Sequence, residues 1–133
     1  MFSLQDAARE VVDYMLFIEE APILDRIAGS TRFAEDFASL GPNDRKGRSL
    51  RQLSLEKRLM QFPCSYMIYS AQFDSLPAKA KDAIYRQLWR IISGQEKDKK
   101  YSRLSSADRL AIVEILRDTK KDLPAYFLAA SVP

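Results

Sequence analysis

The 133-residue chain has no histidine and a single cysteine, which excludes an internal disulfide, a histidine-ligated metal site and any catalytic dyad or triad built on histidine. Hydrophobic residues make up 47% and charged residues 29%, as in a soluble globular domain that is long enough to bury a core. The formal net charge is +3, but residues 1–40 carry a net charge of −5 and residues 41–133 a net charge of +8. This asymmetry is typical of a surface dipole that aids solubility, or it predicts an acidic N-terminal helix that meets a basic surface within the chain or on a partner.

The first predicted helix spans residues 4 to about 20. It follows a capping-box pattern, in which Ser3 precedes Asp6 by three positions, and its apolar residues recur at helical spacing. Its second half is apolar on nearly all sides, so we expect it either at the centre of the domain or against another chain. In the second case, the candidate oligomer contacts are Val12, Tyr14 and Phe17.

The middle of the chain predicts two further helices. One covers residues 31–40 and ends at a Gly-Pro pair, and the segment before it, residues 23–29, predicts a short turn or helix. The other covers residues 49–61, because Ser49 and Gln52 have capping-box spacing and Leu residues follow at helical intervals.

The C-terminal half predicts two long helices. Residues 77–93 begin with a proline suited to a first helical turn and end before Gly94. A helix over residues 106–119 follows Ser105, which forms another capping pattern with Asp108. The tail predicts a short helical turn that packs down through Tyr126, Phe127 and Leu128.

These elements predict an all-α fold. Residues 1–133 form a single domain, an irregular bundle of four to five principal helices plus short helical turns. The sequence has no alternating strand pattern, no hairpin turn signal and no repeat with a period of 20–50 residues.

The cysteine lies in the segment FPCSYMIYSAQFDSLP (residues 62–77). A reactive thiol needs a lowered pKa, and a helix beginning at Pro63 would lower the pKa of Cys64 through the helix dipole. Its neighbours are apolar, however, and free cysteine is among the most buried residue types. The sequence therefore favours core packing for Cys64 over a reactive thiol.

Aromatic residues recur at helical spacing on both sides of Pro77. Tyr66, Tyr69 and Phe73 are three and four positions apart, and Tyr85 and Trp89 are four apart. The simplest interpretation is one aromatic cluster between two helices, because aromatic side chains dominate core energetics. The alternative is a pocket for a small molecule or lipid, in which the Tyr hydroxyls and the Trp N–H supply polar contacts.

The most polar linker, residues 43–52, carries four cations. They are Arg45, Lys46, Arg48 and Arg51. A solvated loop is the simplest interpretation, and a contact with an anion, a phosphate or a protein tail is the alternative. Nucleic-acid binding is disfavoured, because the basic residues alternate with acids and no motif for binding DNA or RNA is present.

Four strings, GRSLRQL, FPCSYMIYS, FDSLP and EILRDTKKDLPAYF, resemble segments near the C-terminal end of larger, uncharacterised bacterial proteins. The resemblance covers roughly residues 40–127. It implies that the fold serves as an appended domain, including in exported proteins, and it implies no activity and no functional residue. This chain departs from that pattern, since it has neither the longer N-terminal part nor a signal sequence.

The leading functional prediction is a non-enzymatic helical domain for protein interaction or assembly, homo-oligomeric through its N-terminal helix. The alternative is a small-molecule or lipid-binding module lined by the aromatic residues, and an enzyme that uses tyrosine, carboxylate or Cys64 ranks third. No cofactor, metal site or transmembrane segment is predicted. The N-terminus lacks a signal peptide, which predicts a cytoplasmic protein unless the chain is a fragment of a larger exported one.

Overall fold

The computed structural model describes residues 3–18, 20, 31–54 and 58–129. These ranges contain helices and one isolated β-bridge but no strand, which confirms the predicted all-α class. In chain order the α-helices are α1 (Leu4–Met15), α2 (Thr31–Ser39), α3 (Ala71–Asp74), α4 (Ala78–Ile92), α5 (Ser106–Thr119) and α6 (Ala125–Ala129). Two short 3-10 helices lie at Tyr66–Tyr69 and Lys99–Arg103.

Local capping signals place the ends of several helices as predicted. At the start of α1, the Asp6 N–H donates to Ser3 Oγ and the Ser3 N–H donates to Asp6 Oδ2, both at 3.1 Å. Ser105 and Asp108 form the same reciprocal pair at the start of α5, at 3.0 and 3.2 Å. Gly94 follows α4 with a φ of 84°, the left-handed conformation that glycine adopts at the end of a helix without strain.

Helices α4 and α5 are more enclosed than the first helix. Helix α4 has seven buried residues, and α5 has five, which are Ala111, Ile112, Val113, Ile115 and Leu116. Helix α1 packs against α4 through a single buried face formed by Ala8, Val12 and Met15. Its other side remains accessible, with Leu4, Val11 and Tyr14 exposed. The first helix therefore lies at the edge of the domain, because only one of its faces is covered by the rest of the described chain.

Two helix predictions are wrong, one in the position of a helix end and one in the existence of a helix. The first helix ends at Met15 instead of continuing to residue 20, because the chain enters a left-handed turn at Phe17. The second error is the helix over residues 49–61, where the described residues, 49–54 and 58–61, have turns, bends and an isolated antiparallel bridge between Leu53 and Met60. The short element predicted over residues 23–29 lies outside the described residues.

Side-chain hydrogen bonds to distant groups explain the missing helix over residues 49–61. The Ser49 N–H donates to Gln52 Oε1 at 2.8 Å, so the predicted contact forms, but the Gln52 N–H bonds to the Ser49 carbonyl in a tight turn. Beyond this turn, Arg51 Nε donates to the Phe37 carbonyl and Arg58 pairs with Asp108. These tertiary contacts outweigh the helix preference of the segment, because intrinsic propensity is small for each residue and tertiary context overrides it.

The C-terminal turn is partly as predicted. Phe127 of α6 is fully buried, whereas Leu128 of the same helix is exposed and does not pack down. Among the described helices, none has both the length and the apolar character needed to cross a bilayer.

Candidate functional site

A concave surface beside the end of α1 encloses a volume of about 450 Å³. We call it the acidic groove, and its lining residues are Glu10, Asp13, Tyr14, Phe17 and Glu20. The first three belong to the accessible side of α1, and the last two belong to the turn that follows it. Carboxylate and aromatic side chains therefore share one concave surface.

Phe17 is held in an unusual backbone conformation at the edge of this groove. Its φ is 56°, a left-handed value that is a genuine outlier for a bulky residue. The Ile18 N–H bonds to the Asp13 carbonyl at 3.0 Å, and the Phe17 N–H bonds to the Tyr14 carbonyl at 3.1 Å. This is the Schellman arrangement, in which glycine normally occupies the position that Phe17 has here.

Neighbouring elements fix the turn that carries Phe17. The Arg103 guanidinium donates to the carbonyl oxygens of Ile18 and Glu20, and the Ser65 N–H donates to the Met15 carbonyl at 2.8 Å. These contacts hold the turn from two sides, so the strain at Phe17 is maintained by the surrounding structure.

The electrostatics of the groove are dominated by carboxylates. Asp13 is anchored, since it accepts hydrogen bonds from the Tyr101 hydroxyl at 2.6 Å and from Lys100 Nζ at 3.0 Å. Burial, and then the adjacent Asp13 carboxylate, raise the pKa of Tyr101 to about 12. Within the described residues, Glu10 and Glu20 form no ion pair through their carboxylates, although Glu20 lies near enough to Arg58 to contribute to the raised pKa of that guanidinium. The groove therefore keeps a negative charge that is available to a ligand.

The structure separates the three predicted oligomer contacts. Val12 is fully buried against the core and cannot reach another chain, so its assignment to a surface contact is wrong. Tyr14 is 77% exposed, which is unusual for a tyrosine in a folded domain, and Phe17 is half-buried. Only Tyr14 and Phe17 therefore remain candidates for contact with a partner.

The basic linker is paired with acidic side chains of the same chain. Arg48 contacts Asp44 at 2.7 Å and Glu114 at 3.0 Å, and Arg45 contacts Asp118 of α5 at 2.8 Å. Lys46 lies 3.7 Å from Glu114. The hydrogen bonds from Arg45 lower the pKa of Asp118 below its usual value. These ion pairs join the linker to α5, and they neutralise most of the charge that suggested an anion site.

Arg51 has a different role from the other linker cations. Its guanidinium lies between the rings of Phe37 and Tyr66, 4.2 and 4.4 Å from their centroids. The positive charge of Arg51 is attracted to the faces of both rings, and these cation–π contacts hold the linker against α2 and against the 3-10 helix at Tyr66–Tyr69. Three of the four predicted anion contacts, Arg45, Lys46 and Arg48, therefore line one recess of about 320 Å³ together with their acidic partners, and Arg51 lies apart from it.

The aromatic residues form two groups rather than the single predicted cluster. Tyr66 packs edge-on against Phe37 at 5.5 Å, while the Tyr69 hydroxyl bonds to Thr119 Oγ1 at 2.6 Å. A separate core group comprises Phe73, Tyr85, Trp89, Tyr126 and Phe127. The 3-10 helix ends at Tyr69 and α3 begins at Ala71, so the two do not form one continuous helix. Phe73 therefore packs in a different region from Tyr66. Tyr85 and Trp89 are buried in ring-to-ring packing, which favours core over pocket for this pair.

Cys64 lies within the hydrophobic core. Its side chain is fully buried, and burial raises the pKa of the thiol to about 12. This placement agrees with the core interpretation of the segment, because a thiolate is the form needed for nucleophilic attack.

One polar cluster had no sequence signal. Lys120 is buried, and its Nζ lies 2.5 Å from Asp74 Oδ1 and 3.1 Å from Asp122 Oδ1. The Tyr85 hydroxyl donates to Asp122 at 3.3 Å, and Lys81 pairs with the same carboxylate at 3.2 Å. These charges are mutually satisfied, so the cluster joins α3, α4 and the end of α5. Lys120 and Lys121 are adjacent in the sequence, and nothing in the pattern shows which of them is buried.

Comparisons with models of known protein families, with curated proteins and with solved structures gave no match. The resemblance to the C-terminal region of larger bacterial proteins therefore stays a prediction. Within the described ranges, no group of three or more cysteine or carboxylate side chains is placed to hold a metal ion.

Proposed function

We propose that this chain is a non-enzymatic protein-interaction domain that binds a basic segment of a partner protein in the acidic groove. The observation that carries the proposal is the exposure of Tyr14 beside three carboxylates, on a helix whose opposite face is core. Neither the aromatic-pocket function nor the enzymatic one has comparable support, because Tyr85 and Trp89 pack in the core and Cys64 is buried.

The lining of the groove suits lysine and arginine side chains. Carboxylates bind their charged groups through charge-assisted hydrogen bonds, and aromatic rings attract the same cations through their faces. The aliphatic stems of lysine and arginine can cover Tyr14 and Phe17 while their heads reach Glu10 and Glu20. Tyrosine is also among the residues that most often dominate binding energy at interfaces.

A second copy of the chain is a less suitable occupant than a basic partner. A two-fold symmetric dimer places the same patch on both sides of the interface. Two acidic grooves would then face each other, and like charges across an interface are strongly unfavourable. Charge complementarity therefore favours a cationic partner segment over homo-oligomerisation through this face.

The fixed turn after α1 reduces the cost of binding. Ordering side chains and loops at an interface opposes association, and a preformed surface avoids part of this cost. Because Arg103 bonds to the carbonyls of Ile18 and Glu20, Phe17 is already positioned at the groove before a ligand arrives.

Fluorescence anisotropy with a labelled peptide of alternating lysine, arginine and alanine tests the proposal. A peptide in which glutamate replaces each basic residue serves as the ligand control. We expect the basic peptide to bind, and salt to weaken the binding because both partners are charged. Failure of the basic peptide to bind at low salt, or equal binding of the acidic peptide, would refute the proposal.

Two substitutions in the groove separate binding from folding. Tyr14→Ala removes a side chain that makes few contacts, and Phe17→Gly supplies the residue that the left-handed position prefers. Both proteins should fold, and each should bind the basic peptide about fivefold to tenfold more weakly. Leu40→Ala is the matched control, because Leu40 is an exposed apolar residue outside the groove and its loss should leave affinity unchanged.

Light scattering after size exclusion tests the alternative occupant. We expect the unmodified chain to be a monomer. A dimer that Tyr14→Ala converts to monomer would assign the groove to a second copy and overturn the proposed basic partner.

A further inference from the structure

Helix α1 carries an apolar stripe on its accessible side, formed by Leu4, Val11 and Tyr14. Leu4 and Val11 are close to two helical turns apart, so they point in nearly the same direction, and Tyr14 lies about 60° further round the helix. The three side chains are between 40% and 77% exposed. They therefore form one accessible surface along α1, next to the acidic groove that Tyr14 also lines.

This clustering distinguishes the stripe from the other exposed apolar residues. Nine large hydrophobic side chains are exposed in the described part of the chain, and each of the six outside α1 lies on an element or connection of its own. Single exposed apolar residues are normal in soluble proteins, whereas several side by side indicate a surface that a partner covers. Within the described residues, α1 is therefore the element with the strongest indication of a partner.

The charges beside the stripe are acidic. Glu10 lies one turn before Tyr14 and flanks the stripe, and its carboxylate forms no ion pair with the described residues. Arg9, the one cation of α1, is on the opposite side, where it lines a recess between α1 and α4. Glu20 extends the acidic edge at the end of the groove. A partner that covers the stripe therefore meets apolar side chains and, along one edge, carboxylates.

We propose that the basic partner segment binds as an amphipathic α-helix that lies along α1, with its apolar side chains on the stripe and its lysine or arginine side chains toward Glu10 and Glu20. This inference rests on the proposed function, since it specifies the form in which the basic segment binds. Amphipathic helices bind other proteins through apolar residues on one face while their opposite face stays charged. A second copy of α1 is less suitable, because its own edge is acidic.

The spacing of the stripe favours a helix over an extended peptide. At about 1.5 Å per residue, Val11 lies about 10.5 Å and Tyr14 about 15 Å from Leu4 along the helix axis. Side chains on one face of a partner helix recur about every 5.4 Å, so two and three turns match these separations to within about 1 Å. Side chains on one side of an extended segment recur about every 6.6 Å, and multiples of that length miss both separations by about 2 to 3 Å.

The test compares two labelled peptides of identical composition by fluorescence anisotropy with the full chain. In the first, leucines recur at positions i, i+3 and i+7 and lysines occupy the opposite face of the helix. In the second, the same residues are rearranged so that no apolar face forms. We expect the amphipathic peptide to bind about tenfold more tightly than the rearranged one, and the difference circular dichroism spectrum of the mixture to show added helix.

Substitutions in the stripe separate its contribution from that of the groove. The double variant Leu4→Ala/Val11→Ala removes apolar area but no residue that lines the groove. We expect it to bind the amphipathic peptide about tenfold more weakly and the alternating basic peptide with unchanged affinity. An unchanged circular dichroism spectrum shows that the variant is folded. Leu110→Ala is the matched control, because Leu110 is as exposed as Leu4, at 43% against 44%, but lies on α5. It should leave both affinities unchanged.

Three results would overturn the proposal. The rearranged peptide could bind as tightly as the amphipathic one, Leu110→Ala could weaken binding as much as the double variant, or light scattering could show a dimer that the double variant converts to a monomer. The first two would indicate binding without a defined helical face, and the third would assign the stripe to a second copy. The two proposals fail separately, because the acidic groove is refuted if the alternating basic peptide does not bind, whereas the stripe is refuted if the two peptides of identical composition bind alike.

Discussion

Replacing Asp44 with asparagine is expected to destabilise the fold by about 3 kcal/mol. The Asp44 side chain is 0% exposed and accepts three hydrogen bonds, from the Lys46 N–H at 3.0 Å, the Arg48 N–H at 2.7 Å and Arg48 Nε at 2.7 Å. Asparagine keeps only one acceptor oxygen, and its amide group directs N–H donors toward other donors.

The magnitude follows from what Arg48 retains. Removing one partner of a fully buried ion pair costs about 3–5 kcal/mol, because the other charge is left without compensation. Arg48 keeps a second contact, to Glu114 at 3.0 Å, and its side chain is 21% exposed. Both facts place the expected loss near the lower end of that range.

Urea unfolding followed by circular dichroism measures this loss. Asp82→Asn is the matched control, because Asp82 and Arg86 are also four residues apart but their pair is solvent-exposed. The Asp82 variant should unfold at an unchanged denaturant midpoint. Equal losses in the two variants, or a loss for Asp44→Asn below about 1 kcal/mol, would refute the reasoning that burial determines the strength of these pairs.

Two further predictions concern titration. Burial alone would raise the pKa of Asp44, but hydrogen bonds from Arg48 and Lys46 lower it below its ordinary value of 3.8. The ionised Asp44 carboxylate therefore contributes its full stabilisation of the fold above pH 3.8, and this contribution is lost as the pH falls further. Without histidine, thermal denaturation should give a flat stability profile between about pH 5 and 8, and a marked transition within that range would contradict the prediction. The pKa of Cys64 is raised to about 12, so the native thiol should react very slowly with a chromogenic disulfide at neutral pH. The same thiol should react fast in denaturant. Fast labelling of the native protein would show that Cys64 is accessible.

Features of the fold that depend on neighbouring residues were predictable from the sequence. The capping pairs Ser3–Asp6 and Ser105–Asp108 form because each needs only one turn of helix. Gly94 ends α4 for an equally local reason, since the stop requires a left-handed residue and glycine adopts that conformation without strain. Local chemistry is therefore sufficient to predict these helix ends from the sequence.

Features that depend on distant partners were not predictable. The same capping spacing at Ser49 and Gln52 gave a turn rather than a helix, because Arg51 and Arg58 find partners elsewhere in the fold. The linker cations suggested an anion site in part because two of their acidic partners, Glu114 and Asp118, lie on α5, far along the chain. A sequence pattern shows the charge of a segment, but the fold decides what neutralises it.

The end of α1 illustrates a third kind of error, in which a local rule is violated. A left-handed residue was needed to end the helix, and the sequence has phenylalanine rather than glycine or asparagine at that position. The sequence therefore predicts a first helix that continues past Met15, where the helix in the structure ends. Such violations tend to persist where the side chain has a use that outweighs the strain, and Phe17 lines the acidic groove.

The apolar character that suggested a fully buried first helix belongs to several different surfaces. Val12 faces the core and is fully buried, whereas Tyr14 faces the acidic groove and is 77% exposed. Phe17, in the turn that follows, lines the same groove. Apolar residues that stand close together in the sequence therefore divide between the core and an accessible surface, and only the path of the chain after Met15 decides which residue goes to which.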